Sequence, residues 1–270
     1  MAALFLERPE GRVSYEDSGG SGPLVVTAPG MGDLRGVYRH VTPPLAEAGY
    51  RVVAMDLRGM GESSVRWSDT TDAAIASDYL ALIDRLGSGP AVVVGNSLSA
   101  AAAVIAATDV LEAVAGLVLI GPFARDVPLK WWQAPLFKAA LLPPWGRAVW
   151  LNQYRKNLYP GPKPPDHDDY VARLRANLGE PGRFATFRAM AANSHAESGS
   201  RLDRVTQPAL IVMGTADPDF PDPVAEANYL AAVTGGEVLL VDGSGHYPQA
   251  DQPGVVAPAM IALAERAFAA

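Results

Sequence analysis

The sequence has no cysteine and only four histidines among its 270 residues. The first absence excludes disulfides, thiolate zinc sites and a cysteine nucleophile. The second leaves His40, His167, His195 and His246, no two of them spaced as a close metal-ligand pair, so no metal site is expected. A basic excess is missing too: the net charge is −7, without the basic stripe that nucleic-acid binding calls for. No run approaches the ~20 apolar residues of a membrane span. The apolar opening, Met1 to Leu6, is broken at once by Glu7 and Arg8, so no signal peptide is expected and the chain reads as a soluble cytoplasmic protein. What is abundant is hydrophobic residues, 49% of the chain, enough for one large domain with a substantial core or a domain with an insertion.

The most informative stretch is Val92-Val93-Val94-Gly95-Asn96-Ser97-Leu98-Ser99-Ala100. A buried β-branched run ends in an abrupt turn, and an alanine-rich helix follows over Ala100 to Ala107. A serine at such a turn projects its hydroxyl from the top of a sheet, and the tightness of the turn demands small neighbours, here Gly95 and Ser99. Unpaired N–H groups and the positive end of the helix dipole point at the same place. This is the layout of a nucleophile elbow. A serine hydroxyl is a poor nucleophile at neutral pH, so a base, an acid to orient it and oxyanion donors must lie elsewhere in the chain.

Strand patterns occur over Leu4 to Glu7, Arg12 to Asp17, Leu24 to Thr27, Arg51 to Met55, Ala91 to Val94, Gly116 to Ile120, Ala209 to Met213 and Glu237 to Val241. Helical spacing is predicted over Gly36 to Ala48, Thr71 to Leu86, Pro223 to Val233 and Pro253 to Ala269. Strand–helix alternation implies a mostly parallel, eight-stranded sheet covered on both faces, with ligands bound beyond the carboxyl ends of the strands. Between 123 and 204 the rhythm stops. Prolines cluster at 143–144 and 160–165, four of the five tryptophans fall here, and only Val171 to Leu178 and Arg183 to Ala192 look helical. This stretch reads as a helical cap inserted after the sixth strand, with 1–122 and 205–270 as the core domain.

Ser97, Asp217 and His246 each lie in a turn just past a buried strand. Taken singly, an Asp before Pro is a turn former and a His among glycines is a packing residue. Together, in the order serine, acid, histidine, they match the order of elbow hydrolases. At these residues the sequence resembles the α/β-hydrolase family, over nearly its whole length. The resemblance rests on Pro29-Gly30-Met31-Gly32, on Asp56 to Ser63 as the family's Asp-x-Arg-Gly-x-Gly-x-Ser turn, on Gly95 to Ser99, on Gly214 to Asp217 and on Gly245-His246. Two departures stand out: Ser99 occupies the usual last glycine of the elbow, and Pro29 precedes Gly30 where His is frequent. Asp56 and Arg58 are read as loop ties.

The resemblance implies a capped serine hydrolase without cofactor or metal. His246 would act as base and Asp217 as its partner, with Asp219 and Asp222 as fallback acids. The Met31 and Leu98 N–H groups would hold the oxyanion. Gly30, Phe123, Trp131 and His195 are candidates to touch substrate, while His195 taken by itself reads first as a partly exposed helix-end residue. Asp166-His167-Asp168-Asp169 reads as a solvated helix start. The expected reaction is cleavage of a small, fairly apolar ester by a monomer or homodimer. The alternatives are carbon–carbon hydrolysis of vinylogous diketones, for which Arg188 and Asn193 would hold a carboxylate, and a ligand-sensing protein with slow turnover.

Overall fold

A computed structural model describes residues 3–127 and 133–269. Eight strands form one sheet in the order β1-β2-β4-β3-β5-β6-β7-β8. They are β1 (Leu4–Arg8), β2 (Gly11–Asp17), β3 (Leu24–Ala28), β4 (Arg51–Met55), β5 (Ala91–Asn96), β6 (Val114–Ile120), β7 (Ala209–Gly214) and β8 (Glu237–Val241). β1 and β2 form an antiparallel hairpin, and β2 runs antiparallel to β4. All other pairings are parallel, with Val26 opposite Val93 and Val94 opposite Val118. β3 and β5 are buried along their whole length, as the continuous valine runs demand of strands covered on both faces.

The helices of the sheet are α1 (Thr42–Glu47), α2 (Asp72–Leu86) and α3 (Leu98–Asp109) in the first half. Thr71 caps α2 by accepting from the Ala74 N–H, and Gly87 ends it in the left-handed conformation at φ 60°. α3 is buried all round, and its alanines let it pack closely on β5, β6 and α2. The single helix expected over Gly36 to Ala48 is a 3₁₀ turn at Arg35–Tyr38 followed by α1. Pro43 and Pro44 explain the break: they supply no N–H to a preceding turn and are tolerated only in the first turn of α1.

Between β6 and β7 lie α4 (Gln133–Ala140), α5 (Gly146–Lys156), α6 (His167–Gly179), α7 (Arg183–Met190) and α8 (Ala196–Gly199). α5 packs on α6 and α6 on α7, while α8 packs on α3. The face of α5 that is buried carries Trp150, Leu151 and Tyr154. The chain then completes the sheet with α9 (Pro223–Thr234), α10 (Pro248–Asp251) and α11 (Pro253–Ala269). α6 starts at His167; its first turn is solvated at Asp168 and Asp169, as expected, but tied down just before them. Asp166 pairs with Arg39 at 2.6 Å, and the His167 side chain is buried against Tyr159. No helix among the described residues is long and apolar enough to cross a membrane.

Candidate active site

Ser97 is the only non-glycine residue with positive φ among the described residues, at φ 58° and ψ −122°. Such strain persists only where the surroundings over-determine it, and it clusters at functional sites. Here they do. The Ser97 N–H donates to Ile120 O at 2.9 Å, and the Ser97 carbonyl accepts from Ala100 and Phe123. A Cβ on Gly95 would lie 2.3 Å from the Ser99 carbonyl oxygen, and one on Gly30 would lie 2.9 Å from the Ser97 Cβ. Only glycine fits at either position. Ser99, buried, lies between two strands: its hydroxyl accepts from the Asn96 N–H at 2.8 Å and donates to Ala28 O at 2.7 Å.

Asp217 and His246 stand past the ends of β7 and β8. The imidazole Nδ1 lies 2.8 Å from Asp217 Oδ2, and Asp217 Oδ1 accepts from the Asp219 N–H at 3.0 Å. Asp219 is farther, at 3.7 Å from Nδ1, and Asp222 is elsewhere, capping α9 through the Ala225 N–H at 2.9 Å. Of the three acids, Asp217 is the one hydrogen-bonded to the imidazole. The two loops are pressed together: a Cβ on Gly214 would come within 2.1 Å of the Gly245 carbonyl oxygen. Asn96, whose role was not legible in the sequence, ties elbow to base loop. Its amide donates to Ile120 O at 3.0 Å and to His246 O at 3.2 Å. The His246 N–H in turn donates to Leu158 O at 3.1 Å, beyond α5.

Burial alone would push His246 down, but the Asp217 carboxylate, with Asp219 and Asp33 behind it, outweighs this and holds it up at about 9. Asp219 is pushed up by burial and by Asp217, and pulled down by His246. Asp217, Asp219 and His246 also bring potential ligand atoms within 4.8 Å of one another, the arrangement their hydrogen bonding already produces.

Gly30, Met31, Gly32 and Asp33 form the loop after β3. Neither the Met31 nor the Leu98 N–H donates to another atom of the described residues, and both residues line the cavity that Ser97 faces. The loop is clamped from the inserted helices. Asp33 is buried and accepts from Tyr170 OH at 2.6 Å, Tyr154 OH at 3.0 Å and the Leu34 N–H at 2.7 Å. Burial pushes this carboxyl up to about 6 against those donors. Trp150 Nε1 reaches Gly32 O at 3.4 Å. This clamp is not legible in the sequence, because its members lie more than 100 positions apart (121 for Asp33 and Tyr154).

The cavity has a volume of about 690 Å³ and is lined by Ser97, Phe123, Trp150, Met190 and His195 among others. Phe123 and His195 are in that lining. Gly30 packs beneath Ser97, its hydrogen leaving room for the Ser97 Cβ, and is absent from the lining. Trp131 lies outside the described residues. Asn193 lines the cavity with its amide donating to Thr70 O at 2.7 Å, whereas Arg188 faces a different depression. Asp56 and Arg58 are loop ties. Asp56 accepts from the Arg35 N–H and Ser14 Oγ at 2.8 Å each, and Arg58 forks onto Asp78 at 2.6 and 2.9 Å.

A family model described as "Alpha/beta hydrolase family" matches residues 25–259, and the chain belongs to that family. Among curated proteins it is similar to epoxide hydrolase A of Mycobacterium tuberculosis, 26% identical over 88% of this chain and 89% of that one. It is also similar to the 2-hydroxy-6-oxononadienedioate/2-hydroxy-6-oxononatrienedioate hydrolase of Burkholderia vietnamiensis, 30% identical over 78% of this chain and 76% of that one. Among solved structures, a thermophilic esterase from Thermogutta terrifontis superposes with a TM-score of 0.81 at 23% identity, covering 99% of each chain. The eight-stranded, mostly parallel sheet flanked by helices is thus the α/β-hydrolase fold, and the chain is a hydrolase by family.

Proposed function

We propose that the protein is a serine hydrolase that cleaves a small, fairly apolar carboxylic ester, or a related carbonyl compound, through an acyl-enzyme on Ser97. The observation that carries this reading is the imidazole–carboxylate pair, His246 Nδ1 to Asp217 Oδ2 at 2.8 Å, together with a serine held at positive φ in the cavity lining. No hydrogen bond joins the Ser97 hydroxyl to His246 among the described residues; such bonds are often long in free enzymes and tighten with substrate. In the proposed cycle His246 Nε2 takes the Ser97 proton as Oγ attacks the carbonyl. Asp217 fixes the proton on Nδ1 and stabilises the imidazolium. The Met31 and Leu98 N–H groups hold the oxyanion, each worth roughly 3 kcal/mol in such sites. The imidazolium then protonates the leaving group, and the neutral ring activates water to release the acid. This chemistry needs no metal or cofactor. Residues 123–204 serve as a cap whose apolar side chains close over the substrate, and the whole acts as a cytoplasmic enzyme on a small molecule.

Intact-protein mass after fluorophosphonate treatment tests the reading. One adduct on the wild type, absent from Ser97→Ala, is expected, followed by turnover of short-chain esters that the variant lacks. No adduct and no turnover would overturn it and favour a ligand-binding protein. Carbon–carbon hydrolysis is the second reading, favoured by the 30% identity to the Burkholderia vietnamiensis enzyme. It is weakened by Arg188, which lines an adjoining depression rather than the cavity that holds Ser97. Loss of colour from a ring-fission diketone in a spectrophotometer would support it.

A further inference from the structure

One residue of the cavity lining, His195, belongs to a second imidazole–carboxylate pair. His195 Nδ1 lies 2.7 Å from Asp72 Oδ2, bridging the segment before α8 to the first turn of α2. Asp72 is buried, and its other oxygen has no partner among the described residues. The rest of this segment is already anchored without the ring: the His195 N–H and Ser194 Oγ both donate to Asp126, at 2.7 and 2.6 Å. The imidazole is therefore not needed to hold the chain in place. Its Nε2 bonds nothing among the described residues, and the ring lines the cavity with a side-chain exposure of 15%. Phe123 stands between the two histidines, its ring centroid 5.9 Å from His195 and 6.0 Å from His246.

We infer that His195, backed by Asp72, is a specificity site of this cavity that selects substrates bearing a hydroxyl group several bonds from the carbonyl attacked by Ser97. The inference rests on the serine-hydrolase reading above. The chemistry of the lining chooses the hydroxyl. The side chains of Met31, Leu98 and Phe123 are apolar, and Trp150 spends its indole N–H on Gly32 O. Asp126 and Asp219 put two carboxylates in the lining and oppose an anionic tail, with Lys138 the one lysine or arginine in the described lining. Asp72 draws the Nδ1 proton, so Nε2 accepts from a substrate O–H when the ring is neutral and donates to its oxygen when the ring is charged. A hydroxyl satisfies both forms; a ketone or ether satisfies one.

Matched ester pairs, identical except for one hydroxyl on the acyl or the alcohol chain, test this through kcat/KM. The wild type should prefer the hydroxylated member of at least one pair by about tenfold, the discrimination one buried hydrogen bond gives. His195→Leu should bring that ratio to about one by raising KM for the hydroxylated ester, and His195→Gln should restore part of it. Asp72→Asn, which keeps an acceptor for Nδ1–H and loses the charge, should give an intermediate ratio. The ratio is internal to each variant, so a general loss of folded enzyme does not move it. A wild type that treats every pair alike, or a His195→Leu variant that keeps the preference, overturns the inference. If instead the parent esters are not hydrolysed and Ser97 is not labelled, the serine-hydrolase reading itself has failed and this one falls with it.

Discussion

Ser99→Ala removes a single oxygen from a position fully sealed from solvent. That oxygen is the acceptor for the Asn96 N–H at 2.8 Å and the donor to Ala28 O at 2.7 Å. The carbonyl keeps a partner, since Tyr38 OH also donates to it at 2.7 Å. The N–H loses its side-chain acceptor inside the core, which costs about 1–3 kcal/mol. At about 2–4 °C per kcal/mol for a chain of this size, the melting temperature should fall by roughly 2–12 °C. The bridge also joins the end of β3, which leads into the Met31 loop, to the end of β5, which carries Ser97. Loosening it should lower kcat by about tenfold with a smaller change in KM, because the proposed nucleophile and oxyanion donors lose their mutual register. Circular dichroism melts and ester hydrolysis measure both effects. A variant that melts within about a degree of wild type and keeps its kcat would refute the argument, showing that the strands close directly across the gap.

Two further predictions follow from the titratable groups. His246 must be neutral to act as base, and it is held above the ordinary histidine value of 6.5, at about 9. Activity should therefore rise with pH through a limb lying above 6.5; in Asp217→Asn that limb should move down while kcat falls by about 10⁴, as loss of the orienting acid does elsewhere. The same shift contributes stability that is complete below 6.5 and lost as pH rises through about 9, which thermal melts across that range will register. Asp33 acts in the same direction at lower pH: burial raises its carboxyl from 3.8 to about 6, so the folded state holds that proton more tightly and stability declines as pH climbs between those values. The decline amounts to roughly 3 kcal/mol, and Asp33→Asn should flatten it; a slope unchanged in the variant would assign it to other groups.

The sheet was legible because β-branched runs bounded by glycine and proline have few other uses. All eight expected strands are found, with ends moved by a residue or two, as at β6, which begins at Val114 rather than Gly116. The proximity of Asp217 and His246 was legible for a topological reason: residues just past parallel strands gather at one sheet end. What stayed hidden was held by contacts distant in sequence. α5 packs through Trp150, Leu151 and Tyr154, and its aromatics meet Phe187 and Tyr247, none of which a local pattern can pair with it. Asp33 reads as a turn residue until two tyrosines from other helices reach it. Ser99 reads as a tolerated replacement for glycine, whereas its hydroxyl makes two bonds that glycine cannot. Asn96 is one residue in a motif until its amide spans the gap to His246 O.

The tyrosine clamp on Asp33 bears on how far this scaffold is modular. If the helices after β6 only covered a finished catalytic centre, they could be exchanged for those of another enzyme to change substrate preference. Here Tyr154, Tyr170 and Trp150 hold Asp33 and Gly32, next to the residue whose N–H is proposed to meet the oxyanion. Leu158 likewise fixes the backbone of His246. A transplanted segment lacking these four residues would leave a buried acid without its donors and the base loop without its tether. Diversification without that damage falls to α4, which packs on α5 and leaves Leu136 and Phe137 exposed at the cavity edge. Changes in chain-length preference among close relatives should accumulate there, while the aromatic positions of α5 and α6 stay fixed by the machinery beneath them.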